Sequence, residues 1–162
     1  MKPTGHHGGW VIILTFIISF ILTIMPMPQI AIHLRPEWSA LVLLYWCMAL
    51  PQRIGVGTGW IVGLLLDVLK GSLLGQHALA LAVIAYLILN LHQRVRLFPL
   101  WQQAVVVMML LNLSQLLLLW FDGITGQPAK GLQYWLPPLV AMLLWPGVFL
   151  LLRGIRRYYK IR

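Results

Sequence analysis

The chain has 162 residues, of which 60% are hydrophobic and 9% charged, with a formal charge of +9 and a mean hydropathy of +0.86. Each crossing of a ~30 Å hydrocarbon core takes roughly 20 apolar residues, so six crossings consume the length and exclude a separate soluble catalytic domain. The positive charge does not indicate nucleic acid as a partner, because the basic residues stand at the ends of apolar segments and belong to no nucleic-acid-binding module.

Six apolar segments follow one another. The first, Trp10 to Met25, is preceded by Lys2 and followed by Met25-Pro26-Met27-Pro28 rather than by a small-residue cleavage site. It reads as a retained helix and not as a signal peptide. Thr15, Ser19 and Thr23 recur along it at four-residue spacing, a polar stripe suited to hydrogen bonding between helices. The second, Trp38 to Leu50, contains Cys47, the one cysteine, which reads as a small buried hydrophobe.

The third segment, Gly55 to Leu69, places Gly55, Gly59, Gly63, Asp67, Gly71 and Gly75 at a strict spacing of four. Such a ridge lets another backbone approach closely, within the chain or from a second chain. Gly71 and Gly75 are expected past the helix end, in a turn that terminates it. The fourth segment, Ala78 to Leu91, carries Tyr86 and Asn90, both assigned to the bundle interior. Segments two to four are shorter than a full crossing and must tilt little, recruit flanking polar residues, or sit partly inside the protein.

The fifth segment, Leu97 to Phe121, is long enough to tilt and carries Asn112, Ser114 and Gln115 as interhelical hydrogen-bonding groups. The sixth, Tyr134 to Leu152, contains Pro137, Pro138 and Pro146, the last expected to kink it near Gly147. Pro51 and Pro99 suit turns. Residues 153–162 form a basic tail, either a stop-transfer signal or a short stretch lying on an anionic leaflet.

With the N-terminus cytoplasmic, nine of the 12 Lys and Arg residues fall on the cytoplasmic side, leaving Arg35, Lys70 and Lys130 outside. This obeys the positive-inside rule and puts both termini in the cytoplasm. Trp10, Trp38, Trp101, Trp120 and Trp135 fall at segment ends, as interfacial anchors do. The fold class is an all-α integral membrane protein of six transmembrane helices, forming a single domain over residues 1–162.

Asp67 is the carboxylate set within a hydrophobic run, where insertion costs about 2.5–3.5 kcal/mol at a span's centre and less toward its ends. Lys70, three residues on, and Arg35, His33 and His77, on the same outer side, are its candidate partners. An ion or proton relay is one role, and a hydrogen-bond hub fixing the outer end of the bundle is the other. A relay needs a second ionisable group in mid-membrane, which the sequence does not supply. It also lacks phosphate loops, zinc-protease spacing and paired carboxylates. His6 and His7 in the N-terminal tail are a weak metal signal, and no cofactor is expected.

Several motifs together resemble the MreD family of rod shape-determining proteins of Gram-negative bacteria. They are Arg35-Pro36-Glu37-Trp38, Leu44-Tyr45-Trp46 with Leu50-Pro51, the Gly55 to Gly75 ridge through Asp67, and Leu100-Trp101-Gln102-Gln103-Ala104. The resemblance implies a non-enzymatic inner-membrane subunit of the cell-wall elongation machinery. Its implied partner is MreC, with RodA and its transpeptidase, RodZ and MreB in the same machinery, and membrane lipids around it. It also implies a distant likeness in fold to the substrate-binding subunits of energy-coupling-factor transporters, although Thr15, Ser19 and Thr23 replace their small-residue spacing on the first helix. Arg35, Pro36, Pro51, Gly59, Gly63, Asp67, Gly71 and Gly75 carry the family motif as interaction or structural positions. The alternative reading is a subunit that holds a lipid-linked precursor or other small molecule in a pocket near Asp67, Asn112 and Gln115.

Overall fold

The computed structural model describes residues 9–25, 37–51, 54–71, 74–126 and 135–159. They form six helices: α1 Gly9–Ile24, α2 Trp38–Ala49, α3 Val56–Lys70, α4 Gln76–Val95, α5 Leu100–Ile124 and α6 Leu136–Tyr158. Every expected segment is a helix, with ends displaced by a few residues. α4 has 20 residues and runs past Leu91 through His92 and Arg94, so it is not a short segment. α6 likewise continues through Arg153, Arg156 and Arg157 to Tyr158, so the first part of the basic tail is helical. Pro146 lies inside this helix, which continues beyond it on both sides.

α4, α5 and α6 are each long and apolar enough to cross a membrane. α2 is not: its 12 residues extend only about 18 Å. It sits instead at the centre of the bundle, with all residues from Ser39 to Met48 buried, in contact with α1, α4, α5 and α6. A helix apolar on every side belongs in such a position. Trp46, Tyr45, Leu41, Leu43 and Leu44 form the middle of the core, and Cys47 is buried among them.

α1 shows the solvent for which the fold is built. Ile13, Leu14, Ile17, Ile18, Ile21 and Ile24 face outward, whereas Thr15, Ser19 and Thr23 face inward. Water would reverse that arrangement, while lipid favours it, because polar groups find hydrogen bonds only within the protein. The stripe does hydrogen-bond: the Trp46 indole N–H donates to Thr15 Oγ1 at 3.0 Å, and the Ser19 and Ser39 hydroxyls lie 3.3 Å apart. Thr15, Ser19 and Thr23 also donate to backbone carbonyls of their own helix.

Two interior assignments are corrected. Tyr86 is 58% exposed and Asn90 is exposed as well, because α4 turns its Ala80, Ile84 and Ile88 face to the core and these two residues lie on the other side. Among the tryptophans, Trp10, Trp101 and Trp120 are exposed, whereas Trp38 packs partly against the core.

Candidate functional site

α3 and α4 make the most extensive helix contact in the bundle, and Gly59 and Gly63 make it possible. A Cβ on Gly59 would lie 3.0 Å from the Leu81 carbonyl oxygen and 3.2 Å from Ala85 Cβ. At Gly63 it would run into the backbone of Ala78 and the carbonyl oxygen of His77. The ridge is therefore used inside the chain, with α4 as the helix seated on it. Gly71 ends α3 in the left-handed region at φ 66°, and Gly75 precedes α4 at φ 99°. Both stand in the turn expected of them, where a residue without Cβ avoids strain.

This close approach brings the end of α3 against the start of α4. Gly75 stands at the N-cap of α4 and has no side chain to satisfy the helix's first N–H groups. Asp67 supplies the missing acceptor. Its Oδ2 accepts the Gly75 N–H at 2.9 Å, and its Oδ1 accepts the His77 N–H at 3.0 Å and lies 2.7 Å from His77 Nδ1. Asp67 is fully buried and His77 almost so. A carboxylate at a helix N-terminus is further favoured by the helix dipole, which accounts for the stability of an acidic residue in an apolar setting.

The other two carboxylates stand near the same end. Glu37, before α2, pairs with Lys70 at 3.2 Å, and Asp122 Oδ1 accepts from Gln76 Nε2 at 3.2 Å. Of the candidate partners for Asp67, His77 is the one brought to it among the described residues, whereas the Lys70 side chain reaches Glu37 at the start of α2. The three interactions tie α2 to α3, α3 to α4 and α4 to α5. The signal for the Gln76 contact was absent from sequence spacing, since its partner lies 46 residues away.

Arg35 and Pro36, and with them His33, lie outside the described residues. Pro51 follows the Leu50 C-cap of α2, away from Asp67. Neither Asp67 nor Asn112 lines the small cavity to which Gln115 contributes. Gln115 lines, with Ser114, Leu118, Glu37 and Pro138, a cavity of about 10 Å³, room for no more than a water molecule. His, Cys, Asp and Glu form no metal-binding group of three or more among the described residues.

A helical bundle with isoleucines outside, hydroxyls inside and a buried carboxylate capping its own neighbouring helix is a membrane protein whose polar groups serve its architecture. The family model described as rod shape-determining protein MreD matches residues 5–155. The rod shape-determining protein MreD of Haemophilus influenzae is 37% identical over 153 residues, covering 94% of each chain. The chain belongs to the MreD family. No solved structure matches it significantly, so the transporter-subunit likeness rests on the sequence resemblance alone.

Proposed function

We propose that the chain is a non-enzymatic scaffold of the machinery that maintains rod shape. In this reading it lies in the inner membrane as six spans with both termini cytoplasmic, and holds the single membrane helix of MreC. Through MreC it joins RodA and its transpeptidase, RodZ and MreB. Family membership supports the role in cell shape. The observation that carries the scaffold reading is that each carboxylate is engaged by another part of the same bundle. Asp67, the group best placed in sequence to act on a ligand or proton, is enclosed and serves as a helix cap.

The glycine ridge is occupied by α4, so a partner helix would meet the outward apolar faces, such as the isoleucine face of α1. The test is affinity purification of the tagged chain from its own membrane in mild detergent, with partners and small molecules identified by mass spectrometry. MreC is expected in stoichiometric amount. A monodisperse chain that repeatedly purifies without MreC but with a stoichiometric small molecule would refute the scaffold reading.

A further inference from the structure

Opposite the Asp67 junction, the structure holds a cavity of about 380 Å³, in the ~300–1,000 Å³ range typical of small-molecule sites. Three helices and the α4–α5 turn contribute to it: Tyr45 from α2, Arg96 from the turn, Gln103 from α5, and Phe149, Arg153 and Arg156 from α6. The proposed scaffold role makes no use of it.

Three observations specify its chemistry. Three guanidinium groups border one cavity, and all the side-chain carboxylates of the chain, Glu37, Asp67 and Asp122, are engaged at the other junctions. Arg153 and Arg156 form no ion pair among the described residues. Arg96 is held in place by donating Nε to the Met48 carbonyl at 2.7 Å and Nη2 to the Ala49 carbonyl at 3.0 Å. That uses two of its five N–H donors and leaves the others for an incoming group. Finally, the Tyr45 hydroxyl is buried with no hydrogen-bond partner among the described residues. Edge contacts with Trp46 and Phe149 fix its ring, at centroid distances of 5.2 and 5.5 Å.

Buried polar groups normally have partners, so an orphaned hydroxyl beside uncompensated cations marks an acceptor that is missing from the isolated chain. Guanidinium forks match the oxygens of phosphate, and a phenolic O–H adds one further donor. The neutral Gln103 is already committed, giving its Nε2 to the Val95 and Phe98 carbonyls and accepting from the Trp145 indole at 3.4 Å. It shapes the wall and contributes no charge. We infer that the cavity formed by Tyr45, Arg96, Arg153 and Arg156 binds a phosphate-bearing anion, supplied by a phospholipid headgroup or by a free phosphate compound.

Native mass spectrometry of the full chain in mild detergent tests this, with phosphatidylglycerol, phosphatidylcholine and inorganic pyrophosphate as probes. Wild-type chain is expected to retain phosphatidylglycerol or pyrophosphate and to release phosphatidylcholine. The double variant Arg153→Gln/Arg156→Gln should weaken that binding at least about tenfold, the value of one charge-assisted hydrogen bond. Tyr45→Phe keeps the ring packing and should weaken it by about threefold or more. The charge-matched variant Arg94→Gln/Arg157→Gln, which alters exposed arginines outside the cavity, should change it less than about twofold. Displacement of the lipid by pyrophosphate would identify the phosphate alone as sufficient; a lipid that resists displacement would identify the headgroup source. Equal losses in the two double variants, equal retention of phosphatidylcholine, or retention of neither phosphatidylglycerol nor pyrophosphate would overturn the inference.

Discussion

Gly63→Ala adds one methyl group where α3 and α4 have no space for it. The new Cβ would fall within 2.5 Å of the His77 carbonyl oxygen and meet the Ala78 backbone as well. These are main-chain atoms and cannot rotate away. Restoring an ordinary carbon contact of ~3.5 Å requires the helices to separate by about 1 Å. Overpacking of this kind costs about 1–3 kcal/mol. Separation also stretches the bonds from Gly75 and His77 to Asp67, and charge-assisted bonds contribute about 1.5–3 kcal/mol each. The better helix propensity of alanine returns ~1 kcal/mol. The net expectation is a loss of about 3 kcal/mol, a hundredfold or so in the folding equilibrium. SDS titration of the detergent-purified chain, followed by helical circular dichroism, measures it. Gly59→Ala, with contacts at 3.0–3.3 Å, should cost about 1 kcal/mol. Gly57→Ala, with nothing within 4 Å, should be neutral or stabilising by up to ~1 kcal/mol. If Gly63→Ala proves as stable as Gly57→Ala, the α3–α4 junction is not as described.

Asp67→Ala should destabilise the chain by about 2–5 kcal/mol, because it leaves the N–H groups of Gly75 and His77 without their acceptor. It should also be non-additive with Gly63→Ala in a double-mutant cycle, since both loosen the same junction. Strict additivity in the same titration would separate the two residues. Lys70→Met removes a partly exposed ion pair with Glu37 and should cost no more than ~1 kcal/mol; a loss above that would make Lys70 part of the lock. Thr15→Val leaves the buried Trp46 indole N–H without its acceptor, with an expected cost of about 1–3 kcal/mol and a change in the near-ultraviolet tryptophan band. An unchanged band and midpoint would refute the α1–α2 contact. Gly75→Ala should cost about 1–2 kcal/mol from the left-handed backbone alone, again by SDS titration, although space around it is open.

Much of the architecture was legible because lipid imposes simple rules. Helices are the economical solution to backbone hydrogen bonding in a bilayer, so apolar runs separated by Pro, Gly and charge mark the elements. All six helices appear where such runs occur. The four-residue glycine spacing announced a close approach, and the Thr15, Ser19 and Thr23 stripe announced hydrogen bonds to another helix. Neither could name the element facing it, since periodicity describes one face of one helix. For Tyr86 and Asn90, polarity suggested an interior that the core face of α4 does not include.

Asp67 shows where sequence reasoning stops. Its burial cost was visible from composition alone, and so was its need for a compensating partner. Lys70, Arg35, His33 and His77 were all candidates, and spacing could not choose among them. Tertiary structure decided for His77 and the α4 backbone, because Gly63 lets α4 start directly beside Asp67 while Lys70 faces Glu37. The arginine-lined cavity was wholly illegible, since Tyr45, Arg96, Gln103, Arg153 and Arg156 are spread over more than half the chain and share no motif. The solvent, the helices and the surplus of positive charge follow from local composition and were readable along the chain. Which helices touch, which charge is neutralised inside the bundle and which remains without an internal partner depend on three-dimensional packing of residues far apart in the chain.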